Sequence, residues 1–262
     1  MKIPLYQLDA FTSKPFAGNP AAICPLETWL DDATMQAIAT ENNLSETAFF
    51  VPEDEGFHLR WFTPAMEVAL CGHATLATAW VIFNRFDWQL DTIDFRTRSG
   101  LLTVARDDDR LALDLPAQSA APVGADEALA SALGVSPEHN LVANNGNVLA
   151  VLRGEQEVRA LKPDFAKIAR LGAFGVIASG PGAGGVDFVS RYFVPKAGIN
   201  EDPVTGSAHC TLTPYWAQRL GKKSLYALQV SARGGELWCE DRGERVVVAG
   251  HCVPVIEGTI VI

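Results

Sequence analysis

The chain of 262 residues is 48% apolar and 20% charged, ordinary usage for a globular protein and unlike disordered, collagen-like or coiled-coil sequences. Lys+Arg 21 against Asp+Glu 31 leaves a net charge of −10, which argues against a nucleic-acid partner, because a phosphate backbone needs a basic face. No apolar run reaches the roughly 18 residues of a membrane span, the start MKIPLYQLDAF lacks a secretory apolar region, and five cysteines without a C-x-x-C pair read as reduced thiols in the cytoplasm.

In chain order, Met35, Ile38 and Ala39 recur at helical spacing, predicting a helix from about Asp32 to the paired Asn42 and Asn43. An apolar strand follows, with Glu46 at its mouth. A second strand ends in Arg60-Trp61-Phe62-Thr63-Pro64, and Gly72-His73-Ala74 opens a helix whose large apolar residues run from Leu76 to Phe83. Such a helix, apolar nearly all round, must be buried. Arg98-Ser99-Gly100-Leu101 leads into two alternating strands, and the Ala/Pro-rich stretch from Pro116 to Pro122 is the best linker candidate. Beyond it, Phe165, Ile168 and Ala169 predict another helix. The stretch Gly180 to Gly185 lacks the Lys-Ser/Thr of a phosphate-binding loop and reads as a flexible connection between strands. Arg191-Tyr192-Phe193-Val194-Pro195 closes a strand, and Asp202-Pro203 has the form of an N-cap and first helical position. Gly206-Ser207-Ala208 then opens a second apolar helix through Leu212 to Leu220, in which Pro214 should produce a kink.

The two halves repeat one another. Arg60 to Pro64 matches Arg191 to Pro195, Gly72-His73-Ala74 matches Gly206-Ser207-Ala208, and Arg98-Ser99-Gly100 matches Arg233-Gly234-Gly235. The offsets, all about 130, are too long for a solenoid and close to half of 262. The pattern predicts two copies of one α/β unit, each wrapping a sheet around its buried helix, with a site between them, since pockets favour domain interfaces.

Both helix starts carry small residues that leave backbone N–H groups open to an anion such as a carboxylate. Glu46 combines desolvation at a buried strand, which raises a carboxyl pKa, with nearby helix starts, which lower it. That balance suits a group that takes and returns a proton, although a solvated glutamate at a strand edge has the same sequence. Asp202 reads first as a cap, Ser207 as a small first-turn residue and His73 as a core histidine. The pairs Cys71/His73, His209-Cys210 and His251-Cys252 fit no common zinc spacing, so no metal site is expected.

Taken together, Asp9 to Pro20, Leu44-Ser45-Glu46-Thr47-Ala48, Arg60 to Pro64, Cys71-Gly72-His73-Ala74-Thr75 and Glu201 to Cys210 resemble the PhzF-like phenazine biosynthesis family of the diaminopimelate epimerase-like superfamily. The resemblance spans essentially the whole chain. It implies an α+β fold of two pseudo-symmetric halves, each a mostly antiparallel sheet around a central helix, with residues 1–116 in the first half, the C-terminal strand 253–262 a candidate addition to it, and residues 117–252 in the second. It also implies a cytoplasmic homodimer without cofactor or metal that acts in biosynthesis on a small carboxylic acid in the cleft between the halves. Glu46 takes the family's acid/base role, with His73, Asp202 and Ser207 as catalytic partners. Gly72, Gly206, Ser207 and His73 are implied to bind substrate, their amides acting in the manner of an oxyanion hole.

The leading expectation is a cofactor-independent isomerase of the trans-2,3-dihydro-3-hydroxyanthranilate type. An amino-acid epimerase using Glu46 with Cys71 is the alternative. The superfamily's second cysteine is replaced by Pro203, which cannot ionise and so weighs against a cysteine pair. A non-catalytic ligand-binding protein of the same fold is the third expectation.

Overall fold

The computed structural model describes residues 1–262. The chain divides into two compact units, Met1–Asp114 with Ala249–Ile262, and Leu115–Val248. No helix is long and apolar enough to cross a membrane.

In the first unit, β1 (Lys2–Ala10) pairs antiparallel with β2 (Asn19–Pro25). The chain crosses through α1 (Asp32–Asn42) to β3 (Glu46–Glu53), which lies parallel to β2; parallel neighbours need such a crossover. Asp31 caps α1 by accepting the Thr34 N–H, and Asn43 ends it in the left-handed region at φ 48°. Strand β4 (Gly56–Phe62) returns antiparallel to β3 and pairs with the two-residue β5 (Glu67–Val68). A second crossover, α2 (Gly72–Arg85), leads to β6 (Thr92–Thr97), parallel to β4, and β7 (Gly100–Asp107) and β8 (Arg110–Pro116) continue antiparallel. Helix α2 buries every residue from Gly72 to Ala79 and again from Val81 to Phe83. It packs against β1, β2, β3 and β7, as an all-round apolar helix must. On the other face of the sheet, Phe49, Val51 and Phe62 meet Met35 and Ile38 of α1.

The second unit repeats that order. Strand β9 (Ala120–Val123) pairs antiparallel with β10 (His139–Ala143), on the far side of α3 (Glu127–Leu133), and β10 with β11 (Val148–Val151). The crossover α4 (Glu155–Ala160) and α5 (Phe165–Arg170) leads to β12 (Val176–Pro181), parallel to β11. Strand β13 (Phe188–Phe193) is antiparallel to β12 and carries the two-residue β14 (Glu201–Asp202). Then α6 (Gly206–Leu220) crosses to β15 (Ser224–Gln229), parallel to β13, followed by β16 (Gly235–Asp241) and β17 (Arg245–Gly250). Pro214 lies inside α6. Gly180 and Pro181 belong to β12, opposite Val189 and Phe188, so the glycine-rich connection begins only at Gly182, whose N–H donates to the Asp187 carbonyl at 3.1 Å.

The final strand, β18 (Cys252–Val261), belongs to the first unit, where it runs antiparallel along β1 from Ala10–Cys252 to Lys2–Val261. In the second unit β9 fills the corresponding position beside β10. The fold is therefore α+β, mostly antiparallel, with two parallel crossovers per unit. The repeated Arg-aromatic-Phe motif has a physical cause. Arg60 donates from Nε and Nη2 to the two carboxylate oxygens of Glu67 at 2.8 and 2.9 Å, with its guanidinium 5.2 Å from the Phe62 ring. Arg191 holds Glu201 in the same bidentate way at 2.8 Å for both bonds, over Phe193 at 4.9 Å. Each arginine thus ties a two-residue strand to the sheet.

Candidate active site

Glu46 opens β3, and side chains along a strand alternate between faces. Phe49 and Val51 pack under α1, so Glu46 shares the opposite face with Ala48 and Phe50, toward α2. There its Oε2 lies 3.2 Å from Nε2 of His73, with only 18% of the Glu46 side chain exposed. His73 is the second residue of α2 and is buried. Its Nδ1 lies 3.1 Å from Nδ2 of Asn19 and 3.5 Å from Sγ of Cys71. Asn19, fully buried, begins β2, two residues before Ala21, the parallel partner of Glu46. The starts of β2, β3 and α2 therefore converge on one imidazole. Burial pushes the His73 pKa down to about 3, with the Pro20 carbonyl pulling it the other way, so the ring is neutral at physiological pH.

The backbone before Asn19 is tightly specified. Gly18 has φ +63°, and a Cβ there would lie 2.2 Å from the Ala10 carbonyl oxygen, which only glycine avoids. The buried Asp9 accepts the Phe16 N–H at 2.7 Å, which holds the turn between β1 and β2.

In the second unit, Asp202, Gly206 and Ser207 lie together around the start of α6, but Asp202 is not its cap. Thr205 is the N-cap and Gly206 the first helical residue. Asp202 is held in β14 opposite Tyr192, and Pro203 precedes the helix instead of opening it. Asp202 instead accepts from Oγ1 of Thr205. Gln229 at the end of β15, absent from the sequence-based candidates, completes the turn. Its Oε1 accepts the Thr205 N–H at 2.8 Å, and its Nε2 donates to the Asp202 carbonyl at 2.8 Å. Ser207 is half-buried in the first turn. His209, one turn further, is fully buried with Nδ1 2.8 Å from the Thr205 carbonyl, and burial pushes its pKa down to about 4.

The two central helices share a further feature. Outer helices α1, α3 and α5 are capped by the side chains of Asp31, Asp126 and Asp164, while the short α4 starts at Gly154 without a side-chain cap. The cap residues of α2 and α6, Cys71 and Thr205, make no side-chain cap bond. The first amides of both helices, from Gly72 and Gly206 onward, thus have no acceptor within the helix or from the cap side chain, an arrangement suited to a carboxylate.

Glu46, Cys71 and His73 place a carboxylate oxygen, a sulfur and an imidazole nitrogen within 4.8 Å of one another, a donor set that a zinc-like ion accepts. Asn19 and Gln229 were not assigned roles from sequence. Asn19 stands inside the Asp9–Pro20 motif, which marked its neighbourhood, whereas Gln229 lies 24 residues from its partner Thr205 with no local signal.

Residues 8–258 match the model of the phenazine biosynthesis-like protein family. A Pseudomonas aeruginosa protein named as an uncharacterized isomerase is 55% identical, over 99% of each chain. A PhzF-family crystal structure from Enterococcus faecalis superposes with a TM-score of 0.97 at 44% identity, covering 100% of each chain. A hydroxyproline epimerase from Agrobacterium vitis shares the fold alone, at TM-score 0.65 and 11% identity over 99% of this chain and 91% of its own. The chain belongs to the phenazine biosynthesis-like (PhzF) family and is an isomerase.

Proposed function

We propose that the protein is a cofactor-independent isomerase that moves a proton within a small carboxylic acid, with Glu46 as the acid/base. The observation that carries this reading is the partly buried Glu46 carboxylate 3.2 Å from a neutral, buried imidazole at the start of an uncapped helix. Glu46 takes a proton from an acidic C–H, and the bonding pair delocalises toward the substrate's conjugated carboxylate. The protonated Glu46 then returns the proton to another carbon of the same molecule, so no group is gained or lost. His73 and Asp202 polarise the substrate. The amides at Gly72 and Gly206, with Ser207, hold its carboxylate, where developing charge is greatest. The family resemblance supports a homodimer, whose mass light scattering would test, and five free thiols support a cytoplasmic location.

Incubation in D₂O with a panel of acids tests the reaction. The panel is trans-2,3-dihydro-3-hydroxyanthranilate, trans-4-hydroxy-L-proline and methylitaconate. Deuterium should enter one class of acid, and Glu46→Gln should slow its incorporation by about 10²-fold or more, the usual worth of a positioned acid/base. Full activity in that variant would sink the role of Glu46.

A second reading, amino-acid epimerisation by Glu46 with Cys71, is favoured by the thiol 3.5 Å from His73 Nδ1. It requires inversion at a stereocentre and loss of that inversion in Cys71→Ala. The proline in place of the superfamily's second cysteine weighs against it.

A further inference from the structure

We propose that Asn19 is a positioning residue that fixes His73 in the tautomer protonated on Nε2, so that the ring nitrogen nearest Glu46 carries the proton. The inference rests on the acid/base reading of Glu46. Two groups face Nδ1 of His73: the Asn19 amide nitrogen at 3.1 Å and the Cys71 sulfur at 3.5 Å. An amide nitrogen donates and cannot accept, and a thiol donates weakly, so Nδ1 must be the acceptor and the single proton of a neutral ring resides on Nε2. That nitrogen lies 3.2 Å from Glu46 Oε2. The carbonyl of Pro20 also lies beside this ring and favours its protonated form.

The choice matters for proton transfer. An Nε2–H steadies the Glu46 carboxylate while it awaits the substrate proton, and does not compete for that proton once Glu46 holds it. An Nε2 lone pair would do the reverse, accepting a hydrogen bond from the protonated acid and retaining its proton. Asn19 is suited to the task because it is fully buried and its backbone is set by the first residues of β2 and by the obligatory glycine before it. His209 provides an internal contrast. Its Nδ1 faces the Thr205 carbonyl at 2.8 Å, which accepts only, so that ring carries its proton on Nδ1.

Long-range ¹H–¹⁵N correlation spectra of the uniformly ¹⁵N-labelled full chain at pH 7 test the assignment, with the His73 ring identified by its loss in His73→Gln. The expected result is an unprotonated Nδ1 and protonated Nε2 for His73, and the reverse for His209. Asn19→Asp keeps the side-chain shape but replaces the donor with an acceptor. It should move the His73 proton to Nδ1 and lower kcat by about 10²-fold on any acid that the wild type exchanges, with KM little changed. A wild-type His73 already protonated on Nδ1 overturns the proposal, as does a tautomer that Asn19→Asp leaves in place. Should that variant not fold, the wild-type spectrum still decides which tautomer is present, and Asn19→Ala, which removes the donor, replaces it. The spectra need no substrate, so failure of the isomerase reading and failure of the tautomer assignment are separate results.

Discussion

His73 and His209 are imidazoles that the fold keeps neutral by burial, with pKa values near 3 and 4. An unfolded chain protonates histidine near pH 6.5. As pH falls from about 6.5 toward 4, the unfolded state therefore binds protons that the folded state refuses, and stability declines; above 6.5 the contribution is constant. Each such proton changes stability by about 1.4 kcal/mol per pH unit. The urea midpoint should thus fall between pH 7 and pH 5, and fall less steeply in His209→Gln. A midpoint that stays flat over this interval would mean that the folded protein accepts charge on both rings. At the same scale, Glu46 has no acidic counterpart in the repeat. Phe49 lies opposite Arg60 and Ala178 opposite Arg191, which places Gly175 at the position equivalent to Glu46. Any Cβ at Gly175 would meet the Tyr192 ring at 2.7 Å. Tyr192 fills this space and donates from its hydroxyl to Asn147 Oδ1 at 3.0 Å. The scaffold repeats, and the acid/base does not.

At the scale of elements, the two-residue strands β5 and β14 are too short to hold themselves, and each is secured by a bidentate arginine. The pairs are mostly buried, with side-chain exposures of 16% and 15% for Arg60 and Glu67, and 13% and 17% for Arg191 and Glu201. Arg60 holds the Glu67 carboxyl below the usual carboxylate range. Because β14 leads directly into the Asp202–Thr205 turn, its clamp also positions the start of α6. Arg191→Lys keeps the charge but loses the planar fork and should destabilise the protein by about 1.5–3 kcal/mol, the usual range for hydrogen bonds to charged groups. Chemical denaturation measures it. A loss under about 0.5 kcal/mol would show that the pair behaves like an exposed salt bridge.

At the scale of the molecule, the first unit is not contiguous in sequence. Ala249–Ile262 completes it, and β18 covers β1 along nine register pairs, while the Met1 amino group donates to the Ile262 carbonyl. A chain ending at Gly250 would leave β1 with an open edge and uncover Ile3, a core residue. It should lose its cooperative thermal transition and be cleaved rapidly within residues 1–114 by protease. A truncated chain that melts like the full one would show that β18 is dispensable.

Much of the scaffold was legible in sequence because it depends on local patterns: the 3.6-residue periodicity of α1, the largely apolar runs of α2 and α6, and the Arg-aromatic-Phe motif repeated about 130 residues apart. Glu46 and His73 were marked by the motifs around them. The cap of α6 was misplaced at Asp202 because Asp-Pro is a good local helix start, whereas pairing of Asp202 with Tyr192 keeps that residue in a strand and moves the start to Thr205. Asn19 lies 54 residues from His73, and nothing local joins them. What the sequence determined alone was the two central helices and the strands beside them, their duplication and the family. The tertiary structure decided which side chains meet, because the face on which Glu46 emerges and the donors that surround His73 exist only once β2, β3 and α2 are paired in register.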